Sequence, residues 1–410
     1  MRITNVETIR VPAPAWAPAE GWTTSPLDAV YEDGDRDRAR AMGVYNGVPD
    51  LRSDPVFTVI VRVTTEGGQQ GLGGIALGSS AVADVVDHHL RPLVLGASVF
   101  DTELAWERMY RSTINIGRKG LVLEAISGVD IAIWDALGKV VGQPVYNLLG
   151  GRTRQRIRAY CSAGHTTASP DDMARRARER MDRYGLTGFK MWFGYGPRDG
   201  RPGMRRNLDC VRALRDALGD DVDLMGDAYM GWNVPYAIEM IRMLEPFHLT
   251  WIEEPVIPDD VAGYARIRSA VGTPIAGGEH EFTRWGFRAL IQAGAVDYLQ
   301  PDVNRMGGIT EARKVWALAQ AHDLEVIPHS HNFHNLHLVI SHLNSPLAEF
   351  FPSEYVDGDT FFSTLFSGEA EVRDGHITLS ERPGFGVELR DGVAAGVIGA
   401  PTGGTATGTQ

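Results

Sequence analysis

The chain has 410 residues, 43% hydrophobic and 22% charged, a globular balance that excludes a fibrous or fully disordered protein. Its 40 Lys and Arg against 52 Asp and Glu give a net charge of −12, which repels phosphate backbones and argues against nucleic acid as a partner. No apolar run approaches the roughly 20 residues that span a bilayer, and the first residues lack the apolar core of a secretory signal. The two cysteines, Cys161 and Cys210, are too few for a disulfide framework, so a reducing cytoplasm is expected.

From the start of the chain, Ile3 to Arg10 alternates weakly as a strand. Pro12 to Asp54 is rich in Pro, Gly and Asp, carries Trp16, Trp22, Tyr31 and Tyr45, and reads as a long irregular stretch, either functional or disordered. Phe57 to Val63 is a strand turned by Glu66-Gly67-Gly68. The glycine run Gly71-Leu72-Gly73-Gly74 lacks the βαβ setting that dinucleotide binding needs. Helices are predicted over 80–92, 101–113 and 122–142. The last keeps Ile126, Val129, Ile133, Leu137, Val140 and Val141 on one face and is closed by Gly142 and Pro144.

In the middle of the chain, short apolar runs end repeatedly in one ionisable residue, and each is followed by a helical segment. The closing residues are Lys190, Asp227, Glu253, Glu279, Asp302, His329 and Glu349, at intervals of 20 to 37 residues. Each interval fits one strand plus one helix, which predicts an α/β chain whose parallel strands close as a (β/α)-type TIM barrel. In such a barrel the C-terminal strand ends share one mouth, where active sites sit, so these seven residues would ring one cavity.

Any one of those acids alone would serve as a helix cap. Three on consecutive strand ends, Asp227, Glu253 and Glu279, repel one another unless a cation joins them, and oxygen ligands select a hard divalent ion, Mg2+. His329 closes the strand after the one that ends in Asp302. A carboxylate on one imidazole nitrogen fixes the tautomer and raises the basicity of the other, which is equipment for a general base. Lys190 would bind a substrate carboxylate or a developing enolate, and Glu349, if protonated, would hydrogen-bond the opposite oxygen. Zinc hydrolysis by His329 and His331 is the lesser alternative, because the carboxylate trio already offers a metal site.

These residues and their surroundings resemble the enolase superfamily, mandelate racemase branch, over about residues 3 to 391. The marks are Ile131-Ala132-Ile133-Trp134-Asp135 with Leu148-Leu149-Gly150-Gly151, and Trp251-Ile252-Glu253-Glu254-Pro255. Further marks are Gly278-Glu279-His280, Gln300-Pro301-Asp302 with Gly307-Gly308, Pro328-His329, and Pro383 to Glu388. The resemblance implies a (β/α)7β barrel under an α+β capping domain. The cap would take residues 1–125 and 355–395 and the barrel 126–354; the end of the chain, 396–410, rich in Gly, Ala and Thr, reads as a mobile tail. The resemblance also implies the metal ligands, the His–Asp dyad and the late carboxyl at the positions named above, and a homo-oligomer from dimer to octamer.

Racemases of this branch carry two lysines two residues apart on the second barrel strand, whereas here the motif is Lys190-Met191-Trp192. Tyr195 to Gly200, Gly278 to Glu281 and Arg284 to Arg288 are similar to the rhamnonate-dehydratase-like acid sugar dehydratases. That subgroup implies loss of the C2 proton of an aldonate and of its 3-hydroxyl, giving a 2-keto-3-deoxy acid, with His280 and Trp192 lining the sugar pocket. The rival expectations are a racemase or epimerase of a 2-hydroxy acid and a non-catalytic binder of sugar acids.

Overall fold

The computed structural model describes residues 1–12, 22–30, 56–75, 80–166, 169–352 and 365–394. Most of the irregular stretch 12–54 and the whole tail 396–410 lie outside the described residues. β1 (Ile3–Pro12), β2 (Val56–Thr65) and β3 (Gln70–Ile75) form an antiparallel sheet in that order. The helix Leu121–Val141 lies across β2 and β3 and ends in a left-handed Gly142. The glycine run is what lets it approach. A Cβ on Gly71 would stand 2.0 Å from the Ala132 carbonyl oxygen, and one on Gly73 would stand 2.0 Å from that of Gly128. The buried Asp135 carboxylate accepts the backbone N–H of Leu72 and of Phe385, tying this sheet to a segment 250 residues away. Position 125 therefore falls inside a helix that packs on the three-stranded sheet, and the first barrel strand begins only at Ile157.

The helix predicted over 80–92 is broken by a wide turn, running as Ser80–Val85, a π-helical Val86–Leu90 and Arg91–Val94. The helix Thr102–Thr113 follows as expected.

The barrel strands are β4 (Ile157–His165), β5 (Gly188–Trp192), β6 (Asp223–Asp227), β7 (Trp251–Glu253), β8 (Ile275–Gly277), β9 (Tyr298–Leu299), β10 (Glu325–Val326) and β11 (Leu347–Phe350). β4 to β10 pair in parallel in chain order. β11 pairs in parallel with β4, from Leu347 opposite Arg158 to Phe350 opposite Cys161, while Val326 N–H donates to Asn344 just ahead of β11. With one main helix in each gap, Pro170–Tyr184 first and Phe333–Ser341 last, the fold is (β/α)7β. β4 is the strand that spacing overlooked, because its run Ala159-Tyr160-Cys161-Ser162 ends in no acid or lysine.

Inside the cylinder Tyr160, Met225, Trp251, Ala276, Ile327 and Leu347 form one buried cluster. They fill the barrel below the strand ends, so the chemistry has to lie above them. After the barrel, Val372–Arg373 and His376–Ile377 form a hairpin that pairs antiparallel with the start of β4. Phe366–Ser367 pairs antiparallel with Glu388–Leu389. The short segment 22–30 rests on the barrel rim, where Trp22 N–H donates to Thr166 and Thr24 N–H to Phe193. Among the described residues no helix is long and apolar enough to cross a membrane.

Candidate active site

Parallel pairing puts the strand ends level. Trp192 stands opposite Asp227, and Asp227 opposite Glu253. Glu279 follows two residues after β8, Asp302 and His329 three residues after β9 and β10, and Glu349 lies within β11. All seven strand-end residues named from the sequence converge on the mouth. Lys190, Asp227, Glu253, Glu279, Asp302 and Glu349 are buried, and the His329 side chain is 16% exposed.

Carboxylate oxygens of Asp227, Glu253 and Glu279 all lie within 4.8 Å of one another. Burial and the neighbouring Glu253 push the Asp227 carboxyl well above the usual range, and burial also raises Glu253. Three buried acids at this spacing cannot all be ionised without positive charge to join them, and an all-oxygen donor set suits a hard divalent cation. The residues therefore fit Mg2+. Two side chains from the barrel interior fix the middle ligand: Trp251 Nε1 and Gln300 Nε2 donate to Glu253 Oε2 at 3.0 and 2.7 Å. The sequence offered no signal for that role of Trp251, although both residues stand in motifs quoted above.

Lys190 lies closer to the acids than a purely substrate-binding lysine would. Its Nζ is 2.6 Å from Glu253 Oε1, 2.9 Å from Glu349 Oε1 and 3.5 Å from Asp227 Oδ2. Burial disfavours its charge, but Glu253 and Glu349 more than compensate and hold it as an ammonium.

Across the mouth, His329 Nδ1 is 2.9 Å from Asp302 Oδ2. Burial opposes ionisation of Asp302, yet the bond from His329 and the nearby Arg305 bring its pKa down to about 2. An ionised carboxylate only accepts, so Nδ1 carries the proton and Nε2 faces the cavity, 3.5 Å from Glu279 Oε2. Burial lowers the affinity of His329 for a second proton, but Glu279 and Asp302 raise its pKa to about 10. Arg305 bridges the two halves, with Nη1 at 3.4 Å from Glu279 Oε1 and Nε at 3.6 Å from Asp302 Oδ2.

Glu349 is not a protonated donor here. Burial raises its pKa, but Lys190 and His329 outweigh burial and bring it to about 2, and Oε2 accepts the Ser330 N–H at 2.6 Å. It acts as an acceptor that anchors Lys190 and the loop after His329.

His280 stands beside Glu279, and its Nδ1 is bound by the Glu254 carboxylate at 2.8 Å. Glu254 was quoted from the sequence only as part of a motif. A second group able to hold a metal, Glu254, Glu279 and His280, shares Glu279 with the first. Trp192 is buried and lies nearly parallel to His165, at 4.5 Å between ring centres, and to Phe351 at 6.4 Å. Lys190 Nζ is 5.9 Å from its ring centre. His331 packs edge-on against Phe350, with its pKa lowered to about 4 by burial, and belongs to no metal-capable group among the described residues. The zinc alternative is dropped.

Three acids facing a His–Asp dyad at the mouth of a (β/α)7β barrel define a class of metal-capable active site. Comparison with known proteins places the chain within that class. The mandelate racemase / muconate lactonizing enzyme N-terminal domain matches residues 54–150, and the enolase C-terminal domain-like family matches residues 172–393. The chain belongs to the mandelate racemase / muconate lactonizing enzyme branch of the enolase superfamily. It is 41% identical to an L-rhamnonate dehydratase from Saccharopolyspora erythraea over 336 residues, 81% of this chain and 83% of that protein. Among solved structures it is similar to a rhamnonate dehydratase from Gibberella zeae complexed with Mg, with 30% identity, TM-score 0.82, and coverage of 97% of this chain and 96% of that one. It is also similar to a racemase from Streptomyces coelicolor A3(2) with bound magnesium, with 32% identity, TM-score 0.78, and coverage of 94% and 97%.

Proposed function

We propose that the protein is a Mg2+-dependent hydro-lyase that dehydrates an acid sugar, an aldonate of the L-rhamnonate kind, to a 2-keto-3-deoxy acid. One observation carries this reading: His329 is held on Asp302 across from the three acids, and the position two residues after Lys190, where racemases of this branch carry a second lysine, is Trp192, whose ring offers no base. The names of the relatives support the substrate class.

Asp227, Glu253 and Glu279 would hold Mg2+, which supplies positive charge beside the substrate carboxylate and so makes the C2 proton easier to remove. Nε2 of His329 takes that proton while Nδ1–H remains on Asp302, which steadies the imidazolium as it forms. The electron pair left at C2 spreads into the carboxylate, where the Lys190 ammonium offsets part of the new charge. The pair then closes a C2–C3 double bond as the C3–O bond breaks. His329 returns its proton to the departing hydroxyl, which leaves as water, and the enol tautomerises to the ketone. Trp192 and His280 wall the space left for the sugar chain.

The likeness to the Streptomyces coelicolor racemase supports racemisation as a second reading, and Trp192 argues against it. Incubation of a panel of aldonates and aldarates with the Mg2+-loaded protein, assayed with semicarbazide for 2-keto acids, separates the two. Keto product supports dehydration. Deuterated substrate of inverted configuration in D2O, without keto product, would make the protein a racemase or epimerase. A blank on every acid sugar would make it a binder.

A further inference from the structure

The loop behind His329 holds a strained stretch of backbone. Ser330 sits at φ +79°, in the left-handed region that a residue with a Cβ enters only when its surroundings hold it there. The orientation has a use, because it aims Ser330 N–H at Glu349 Oε2, 2.6 Å away. The holder is Asn335, two residues into the helix Phe333–Ser341 and 1% exposed. Its Nδ2 donates to the His329 carbonyl at 2.7 Å and to the Ser330 carbonyl at 3.0 Å. One amide nitrogen thus grips the two carbonyls on either side of the residue in the strained conformation. Asn332 Nδ2 adds a bond to Ser330 Oγ at 2.9 Å. The His329 backbone is pinned from the other direction as well, its N–H donating to Pro301 at 3.1 Å, next to Asp302.

We infer that Asn335 is a positioning residue that keeps Ser330 in its left-handed conformation, and through it sets the His329 imidazole on Asp302 and the Ser330 N–H on Glu349. The inference rests on the reading of His329 as the base. It differs from a plain stapling of helix to loop in one respect: the harm done by losing Asn335 passes through the backbone of Ser330, so relieving the strain there repairs it.

The test is a double-mutant cycle in the full chain. Asn335→Ala is expected to lower kcat by about 10²-fold, the scale of a misplacement near 1 Å, with KM and Mg2+ affinity held. Glycine enters φ +79° freely, so adding Ser330→Gly to Asn335→Ala should recover about tenfold, measured against Ser330→Gly alone. Asn335→Leu, which fills the site without a donor, replaces the alanine variant if that one fails to fold. A wild-type kcat in Asn335→Ala, or a double variant no better than the single, overturns the inference. A readout that needs no substrate keeps it apart from the functional reading. The downfield Nδ1–H resonance of His329 should weaken in Asn335→Ala and return in the double variant. If that resonance is unmoved by Asn335→Ala, the positioning role is wrong even where the dehydratase reading stands. If it moves as expected while no acid sugar is converted, the dehydratase reading alone fails.

Discussion

The two sides of the barrel mouth are built differently. On the carboxylate side, Asp227 and Glu253 are the last residues of β6 and β7 and sit opposite each other in one register. Sheet hydrogen bonds position them, and Trp251 and Gln300 trim the orientation of Glu253. On the imidazole side, β9 and β10 are two residues long, and Asp302 and His329 lie three residues past them in irregular chain. There the geometry comes from side chains bonded to backbone, and from a serine held in a conformation it does not favour. Two of the three acids are set by strand register, whereas the proton-transfer group is set by a local network. Loss of one carboxylate-side support should loosen a cation, and loss of one imidazole-side support should misplace a base.

The hardest break comes from removing the base itself. His329→Asn should lower kcat by about 10²–10⁴-fold, the usual cost of an acid–base group, while calorimetry still shows Mg2+ binding. Turnover near wild type would move the chemistry to another residue. The matching break on the other side is milder. Gln300→Leu leaves Glu253 Oε2 with Trp251 alone and should weaken Mg2+ binding by about 10–100-fold. Calorimetric titration checks this, and an unchanged affinity would mean that register alone positions the ligand.

The two sides also speak to each other through Glu279, 3.5 Å from His329 Nε2. Burial works against protonating His329, and Glu279 is the largest influence raising its pKa, to about 10. A cation held by the trio takes up charge on Glu279, so Mg2+ should lower the His329 pKa by about 1–3 units. The base works when neutral. Activity should therefore rise with pH through that pKa, and the rise should lie at higher pH when Mg2+ is scarce. Histidine-selective NMR titration, with chelator and then with Mg2+, reads the shift directly. An identical pKa in both conditions would show the two sides to be electrostatically separate.

This contrast also explains what could be read from the chain beforehand. Asp227, Glu253 and Glu279 fall at 26-residue steps because each step is one strand and one helix, so spacing alone located the trio. The dyad was legible for the same reason, since Asp302 and His329 mark successive strands even though the strands themselves are short. What stayed hidden depends on tertiary contact. The grip of Trp251 and Gln300 on Glu253 joins β7 to the residue just past β9. The ionised state of Glu349 follows from a lysine 159 residues earlier in the chain, and no periodicity reports it. β4 escaped notice because its inward residues, Tyr160 and Ser162, are neither acids nor lysines.

The glycine run before the first helices is a similar case, read from the sequence only as unfit for a dinucleotide. In the fold it is the groove into which the helix Leu121–Val141 settles, behind the short helix Val303–Met306 that follows Asp302. Gly73→Ala should therefore push against the Gly128 carbonyl, which a Cβ would approach to 2.0 Å. Backbone cannot rotate aside as a side-chain tip can, so the helix has to shift on the sheet. The expected cost is about 1–3 kcal/mol of stability, the usual range for overpacking, seen as a lower midpoint in urea. kcat and Mg2+ affinity should change less than in the variants above, because the site side chains stand on or just after β5 to β11 and this helix only backs the short helix Val303–Met306 behind Asp302. A marked loss of kcat in a folded Gly73→Ala protein would instead show that the seat of this helix on β3 reaches the dyad, and the division between the mouth and its support would have to be redrawn.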